Sequence, residues 1–285
     1  MSNKRIIARL DIKGPNLVKG IHLEGLRVLG TPEVFAKYYY ENGADELMYM
    51  DSVASLYDRN SLHNIIEKTA KETFIPLCIG GGIRTLDNIK HILRSGADKV
   101  AINTAAIKNP NFIKEAANRF GSSTIVVAIE AIKSENGQYL AYTDNGREYT
   151  GVDVFEWAKE VEELGAGEIV ITSVDQEGTG KGFDLELTQK ISEQALIPVI
   201  SHGGGGSIDH IKDVIIKGKA DAVALASIFH YDTIKKIIST DFSNEEGNIE
   251  FLKSGHSLKN IQATNISTLK EALHRFGISC RHTIQ

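Results

Sequence analysis

Short apolar runs alternate along the chain with longer segments whose apolar residues recur at helical spacing. The runs are "RIIARLD", "ELMYMD", "IPLCIGGG", "KVAINT", "TIVVAIEA", "EIVITSVD", "IPVISHGGGG" and "AVALAS", eight in all. They are rich in Ile, Val, Leu and Ala on both faces, as parallel strands are when helices cover them. Segments such as "NIKHILRSGADK" and "DVFEWAKEVEELGAGE" supply the helical pattern between them. Eight strand–helix units in this length predict an α/β chain folded as a (βα)8 TIM barrel.

The chain also repeats itself. "FIPLCIGGGIRTLDNIKHILRSGADKVAINTAAI" reads against "LIPVISHGGGGSIDHIKDVIIKGKADAVALASIF", with Pro76 and Pro198 122 positions apart. The same offset aligns Glu46 with Glu168, and an offset of 119 aligns Asp11 with Glu130. Two half-barrels of four units each account for this two-fold pattern, which a doubly wound sheet does not.

Composition narrows the function classes. The 285 residues fit one barrel domain over 1–285. A polar, turn-rich insert at 241–264 precedes the last helical segment, "STLKEALHRFGI". The net charge is −5 and no basic run is interleaved with aromatics, which argues against a nucleic-acid surface. Cys78 and Cys280 lie far apart and match no metal spacing, so the expectation is a reduced, cytoplasmic protein without a metal or other cofactor. No apolar run approaches the ~20 residues of a membrane span, and "MSNKRIIARLD" enters a strand at once, so no signal peptide is expected.

In a barrel of this kind the chemistry sits at the C-terminal ends of the strands. Asp11 and Glu130, related by the repeat, face each other across that mouth as a candidate acid and base. The clusters Gly80–Gly82 and Gly203–Gly206 each precede a helix, and free backbone N–H groups there can cradle an anion. With the polar strand ends Asn103, Thr104 and, beside Ala226, Ser227, they predict two facing phosphate sites and a ligand that bridges them. In "DQEGTGKGFD", the loop carrying Asp175, Glu177, Gly178 and Thr179 can offer further donors. At the opposite mouth Arg5, Glu46, Lys99 and Glu168 can form a ring of salt bridges; the residue types alone are equally those of ordinary surface pairing.

The motifs "KRIIARLD", "GADELMYMD", "GGGIRT", "GADKVAINTAA", "VVAIEA", "GAGEIVITSVDQEGT" and "ASIFH" resemble, over nearly the full chain, the cyclase subunit of imidazole glycerol phosphate synthase, HisF. The resemblance implies a HisH-like glutaminase on the N-terminal face of the barrel and ammonia passing through the barrel to the catalytic mouth. It places Arg5, Glu46, Lys99 and Glu168 at the ammonia gate and Asp11 and Glu130 at the catalytic acid and base. Lys19 matches a lysine of the mobile first loop. Gly81, Gly82, Asn103, Thr104, His202, Gly203, Gly204, Ala226 and Ser227 fall on or beside the two phosphate cradles.

The chain departs from the family pattern on its active face. Glu130 stands where aspartate is usual, and its extra methylene advances the carboxylate by roughly 1.5 Å, on a scale where ~1 Å can change rates ~100-fold. "CLDVKDG" has become "RLDIKGP", "SGG" has become "HGG" with His202, and "DRDGT" has become "DQEGT" with Glu177. Arg9 shares strand parity with Asp11 and so points into the barrel, where it needs a partner, Asp11 or Glu130. Such a pairing lowers the carboxylate's pKa. These departures resemble a paralogous branch that works beside a glutaminase-like protein and an N-acetyl-sugar amidotransferase in making acetamidino groups of bacterial surface sugars. Three functional expectations stand together: that branch, the histidine-pathway cyclase, and a non-catalytic ammonia conduit that activates the glutaminase. A sugar-phosphate isomerase of similar symmetry fits the charged gate less well.

Overall fold

The computed structural model describes residues 3–52, 60–237 and 260–282. Strand β1 (Arg5–Lys13) leads into a hairpin of β2 (Asn16–Ile21) and β3 (Glu24–Gly30), and then come β4 (Glu46–Asp51), β5 (Leu77–Gly80) and β6 (Lys99–Ile102). Strand β7 (Ile125–Lys133) leads into a second hairpin, β8 (Tyr139–Thr143) and β9 (Glu148–Asp153), followed by β10 (Glu168–Ser173), β11 (Val199–His202) and β12 (Ala222–Leu225). The strands β1, β4, β5, β6, β7, β10, β11 and β12 pair in that order, all parallel, and β12 pairs back to β1. The eight apolar runs are these eight strands, and the sheet closes as the expected (βα)8 barrel.

The outer layer holds α1 (Pro32–Glu41), α2 (Asn60–Glu72), α3 (Leu86–Arg94), α4 (Thr104–Lys108), α5 (Asn111–Phe120), α6 (Val154–Glu163), α7 (Leu185–Gln194), α8 (Ile208–Ile216), α9 (Ser227–Ile237) and α10 (Ile266–Arg275). Local chemistry sets their starts. Thr85 caps α3 by accepting from the Asn88 N–H at 3.1 Å, and Ser207 caps α8 by accepting from the His210 N–H at 3.3 Å. These caps lie one repeat apart and fix the glycine clusters just ahead of each helix. Helix α10 overlaps "STLKEALHRFGI" and begins one residue before it, at Ile266. It buries Leu269 and Leu273 completely, at roughly 1.5–3 kcal/mol each. Residues 241–259 of the insert expected before it lie outside the described residues. No helix among the described residues is long and apolar enough to cross a membrane.

Inside the barrel, alternate residues of each strand meet on the axis. Ile7, Met48, Cys78, Ala101, Val126, Ala128, Val170, Ile200, Ala222 and Ala224 form one buried apolar cluster, separate from the larger core between strands and helices. Five of the ten are alanine or cysteine, so this inner plug is built largely of small side chains. It separates a charged collar at the N-terminal rim from the polar mouth at the other.

Candidate active site

The C-terminal mouth is assembled by strand parity. Residues 9 and 11 of β1, 130 of β7, 172 of β10 and 202 of β11 point inward above the apolar plug. Arg9 Nε donates to Asp11 Oδ1 at 2.9 Å, and its Nη1 reaches Thr172 Oγ1 at 3.4 Å. Both members of the pair are buried. Of the two carboxylates expected within reach of Arg9, Asp11 is the one it binds. Burial by itself would raise the Asp11 carboxyl. The positive charges of Arg9 and Lys19 outweigh it and bring the pKa down to about 2. Asp11 is therefore a fixed carboxylate at neutral pH.

Glu130 lies in the opposite electrostatic setting. Burial drives its pKa up to about 7, against the hydrogen bond from the Gly146 N–H and the charge of Arg9. The Gly146 N–H donates to Oε2 at 2.8 Å. Asn103 donates to the Tyr142 carbonyl at 3.3 Å and also leans on Glu130. One repeat-related pair thus holds two carboxyls in different protonation states, the arrangement that separates an acid from a base.

Two hollows open on the mouth. The larger, about 100 Å³, is lined by Arg9, Asp11, Lys19, Gly81, Gly82, Asn103, Thr104 and Glu130. The second, about 20 Å³, is lined by Lys19, Glu177, Gly178, His202, Gly203, Gly204, Ala226 and Ser227. The residues expected at the two cradles therefore sort into two halves that share Lys19. The Gly204 backbone closes against the next loop: a Cβ there would lie 1.9 Å from the Gly182 carbonyl oxygen. Thr179 lines neither hollow. Its hydroxyl donates to the Gln176 carbonyl at 2.7 Å and shapes its own turn. Asp175 also faces away, accepting from the Lys133 N–H at 2.9 Å.

The β2–β3 hairpin lies over the mouth, where Lys19, Gly20, Leu23 and Leu26 line the larger hollow and Lys19 also lines the second, and it is latched there. Lys19 Nζ pairs with Glu177 and stands 3.9 Å from Asp11 Oδ2. The other oxygen of Glu177 accepts from the Leu23 N–H at 2.9 Å, and the His22 N–H donates to the Glu177 carbonyl at 2.9 Å. Leu23 takes φ 61°, a left-handed conformation costing roughly 1–2 kcal/mol for a side chain of its kind. The Glu177 bond helps to hold it. Gly178 permits the close approach, since a Cβ there would sit 2.6 Å from the Gly20 carbonyl oxygen. Gly178→Ala is expected to lift the hairpin and raise the KM for ligand about tenfold, a misplacement effect of the kind that ångström shifts produce. Steady-state kinetics with limited proteolysis of the hairpin checks it; no change in either would show that the contact is dispensable.

Neither hairpin was among the sequence expectations, nor were Asp51, Ser52, Arg84, Asp144 and Asn145, which also line the larger hollow. A signal for the second hairpin was present. An Asn-Gly pair sits between the alternating "YLAYT" and "EYTGV", a hairpin signal. The structure makes it a four-residue connection with Asp144, Asn145 and Gly146 all at positive φ, closed by the Arg147 N–H on the Thr143 carbonyl at 3.1 Å. That turn delivers the Gly146 N–H to Glu130, and Asn145 donates to the Ser52 carbonyl at 2.9 Å.

At the N-terminal rim the four expected charges close a ring. Arg5 Nη1 contacts Glu46 and Glu168 at 3.0 Å each, and Lys99 Nζ contacts the same two carboxylates at 2.9 and 3.1 Å. Glu46 is buried, and burial raises its pKa against the pull of Lys99.

The sequence model of the family described as "Histidine biosynthesis protein" matches residues 5–235. Two curated relatives share long stretches of the chain. "Imidazole glycerol phosphate synthase subunit HisF" of Legionella pneumophila is 60% identical over 209 residues, 73% of this chain and 99% of the relative. The protein of the same name from Alkaliphilus metalliredigens (strain QYMF) is 44% identical over 234 residues, 82% of this chain and 93% of the relative.

Proposed function

The chain belongs to the histidine biosynthesis protein family, as a HisF-type barrel, and on that footing we propose that it works as the synthase subunit of a glutamine amidotransferase complex. A HisH-like glutaminase docks on the N-terminal face and releases ammonia at the ring of Arg5, Glu46, Lys99 and Glu168. Ammonia crosses the apolar plug and meets a phosphorylated ligand at the far mouth. One observation carries this reading: a closed charged collar and a mouth with two carboxyls of opposite proton state lie at the two ends of one axis, joined by a plug of largely small apolar side chains. Neutral ammonia can enter such an interior, whereas a charged ammonium pays a large desolvation penalty there.

At the mouth, Gly81, Gly82, Asn103 and Thr104 hold the phosphate. Glu130, protonated near neutral pH, donates a proton to the leaving or developing anion. Asp11, held ionised by Arg9, accepts or positions one. Lys19 brings the hairpin down over the bound ligand. The complex serves acetamidino modification of surface (lipopolysaccharide) sugars in the cytoplasm, alongside an N-acetyl-sugar amidotransferase. The support for this finer reading is that Arg9, Glu130, Glu177 and His202, residues that depart from the family pattern, all touch the mouth. A second reading, the imidazole glycerol phosphate synthase of histidine synthesis, is favoured by the relatives' names and by the paired acids.

Two genetic assays separate the readings. In a strain lacking the cyclase, soluble chain that fails to restore growth without histidine excludes the second reading. Coexpression with the glutaminase and the sugar amidotransferase, at physiological ammonia, is expected to make sugar amidination depend on this chain. Amidination that proceeds equally well without it would sink the first.

A further inference from the structure

Glu130 takes its hydrogen bond from a backbone N–H at the tip of an exposed ribbon. Asp144, Arg147, Glu148 and Tyr149 around that tip are all exposed. The bond from the Arg147 N–H to the Thr143 carbonyl closes the connection on itself and reaches nothing outside it. Asp144 and Asn145 hold left-handed backbone, at φ 53° and 62°, which Asn and Asp tolerate better than most side chains but do not prefer. Gly146 rests against the Val174 side chain, where a Cβ would lie 3.0 Å from a methyl. That contact supports the tip without aiming its N–H.

Asn145 supplies a tether. Its side-chain amide donates to the Ser52 carbonyl at 2.9 Å. Ser52 is a firm anchor, because its own N–H donates to the Ile12 carbonyl at 2.9 Å and ties it to the end of β1. The Asp51 backbone just before it is packed by the first glycine cluster: a Cβ on Gly81 would lie 2.4 Å from the Asp51 carbonyl oxygen. The residue that follows Asn145 is Gly146, whose N–H donates to Glu130 Oε2 at 2.8 Å. Ser52, Gly81, Glu130 and Asn145 all line the larger hollow. One side chain thus joins the grip on a β7 carboxyl to the loop behind the first cradle.

We infer that Asn145 is a positioning residue, whose tether to Ser52 holds the Gly146 N–H on the Glu130 carboxylate. The inference rests on the acid role proposed for Glu130 and names the group that steadies it. The charged groups around Glu130 are Arg9 on β1 and Asp144 in the turn, with Asp11, Lys19, Asp51 and Arg84 lining the same hollow. Tyr142 stands opposite it on β8, and Thr172 on β10. The Gly146 bond favours the ionised carboxyl and draws its pKa down against burial, while Asp144 acts the other way and more weakly. Releasing the tether is therefore expected to let the carboxyl rise.

The test is carbon-13 NMR of the full chain labelled at the glutamate side-chain carboxyls, with Glu130→Gln to identify the signal. Wild-type Glu130 is expected to titrate near 7, and the Gly146 amide proton to move with the same midpoint. Asn145→Ala and Asn145→Gly are both expected to raise that midpoint by about one pH unit, a tenfold tighter hold on the proton. Glycine takes left-handed backbone freely, so Asn145→Gly removes the tether alone. A rise in the alanine variant only would show that backbone conformation suffices. No rise in either would show that the tether is idle. Each of these overturns the inference, and so does a wild-type Gly146 amide that ignores the titration, a measurement that needs no variant. The alkaline limb of turnover is expected to move with the NMR midpoint. If the midpoint rises in both variants and turnover has no such limb, the tether stands and the acid role of Glu130 is lost.

Discussion

Arg9→Met is expected to destabilise the protein by about 3–5 kcal/mol, because it leaves Asp11 as an uncompensated buried carboxylate. The only other nearby cation that contacts Asp11 among the described residues is Lys19, at 3.9 Å and already engaged by Glu177. The variant is also expected to push the Asp11 carboxyl well above its present value of about 2. The sign of the acid limb follows. In the wild type the folded pKa of Asp11 is depressed below its ordinary 3.8, so its contribution to stability is complete above that value and is lost as pH falls towards 2. In Arg9→Met the raised carboxyl reverses this, and the variant is expected to lose stability as pH rises through the range where Asp11 ionises. Urea unfolding at several pH values measures both effects. A variant as stable as wild type, with the same acid limb, would mean that Arg9 and Asp11 do not share a charge pair. A double variant, Arg9→Met with Asp11→Leu, is expected to recover much of the loss, since an apolar pair of similar volume can replace a buried ion pair.

Glu130→Gln is expected to lower turnover about 10²- to 10⁴-fold while leaving the fold intact, the range typical of a lost general acid. Glutamine keeps an oxygen for the Gly146 N–H and cannot deliver a proton. In the wild type, turnover is expected to fall as pH rises through about 7, where Glu130 ionises. The variant's residual rate is expected to lack that limb. The same carboxyl leaves a mark on stability: its contribution is complete below about 4.5 and is lost as pH rises through about 7. Glutaminase-coupled and ammonia-driven assays across pH check the point. Full turnover in Glu130→Gln, together with full turnover in Asp11→Asn, would favour the passive-conduit reading and exclude acid–base chemistry at this mouth.

Much of this site was legible in the sequence, for a physical reason. Strand parity fixes which residues share a face, so Arg9 and Asp11 had to point inward together, and the repeat had to set Glu130 opposite. The glycine clusters were readable because close backbone approach excludes a Cβ. The partner of Arg9 was not decided by parity, since both carboxylates lay within reach; the structure pairs it with Asp11. The first hairpin was missed because β2 and β3 run through mixed polar residues, some of which become buried only when Glu177 arrives from a loop more than 150 positions away. Thr179 went unrecognised as a turn former because a hydroxyl in a polar loop serves a ligand or its own backbone equally well, and only geometry distinguishes them.

The two hairpins spring from β1 and β7, the first strands of the two halves. One lies over the mouth as a flap fastened by a buried ion pair; the other grips Glu130 through a single backbone N–H. Duplication thus left one ornament in two copies that have taken separate trades, gatekeeper and anvil. Changes in the first copy are expected to alter how quickly a ligand arrives and departs, and changes in the second how firmly Glu130 holds its proton. Each ribbon therefore tunes its own carboxyl, the first Asp11 through Lys19 and the second Glu130 through Gly146.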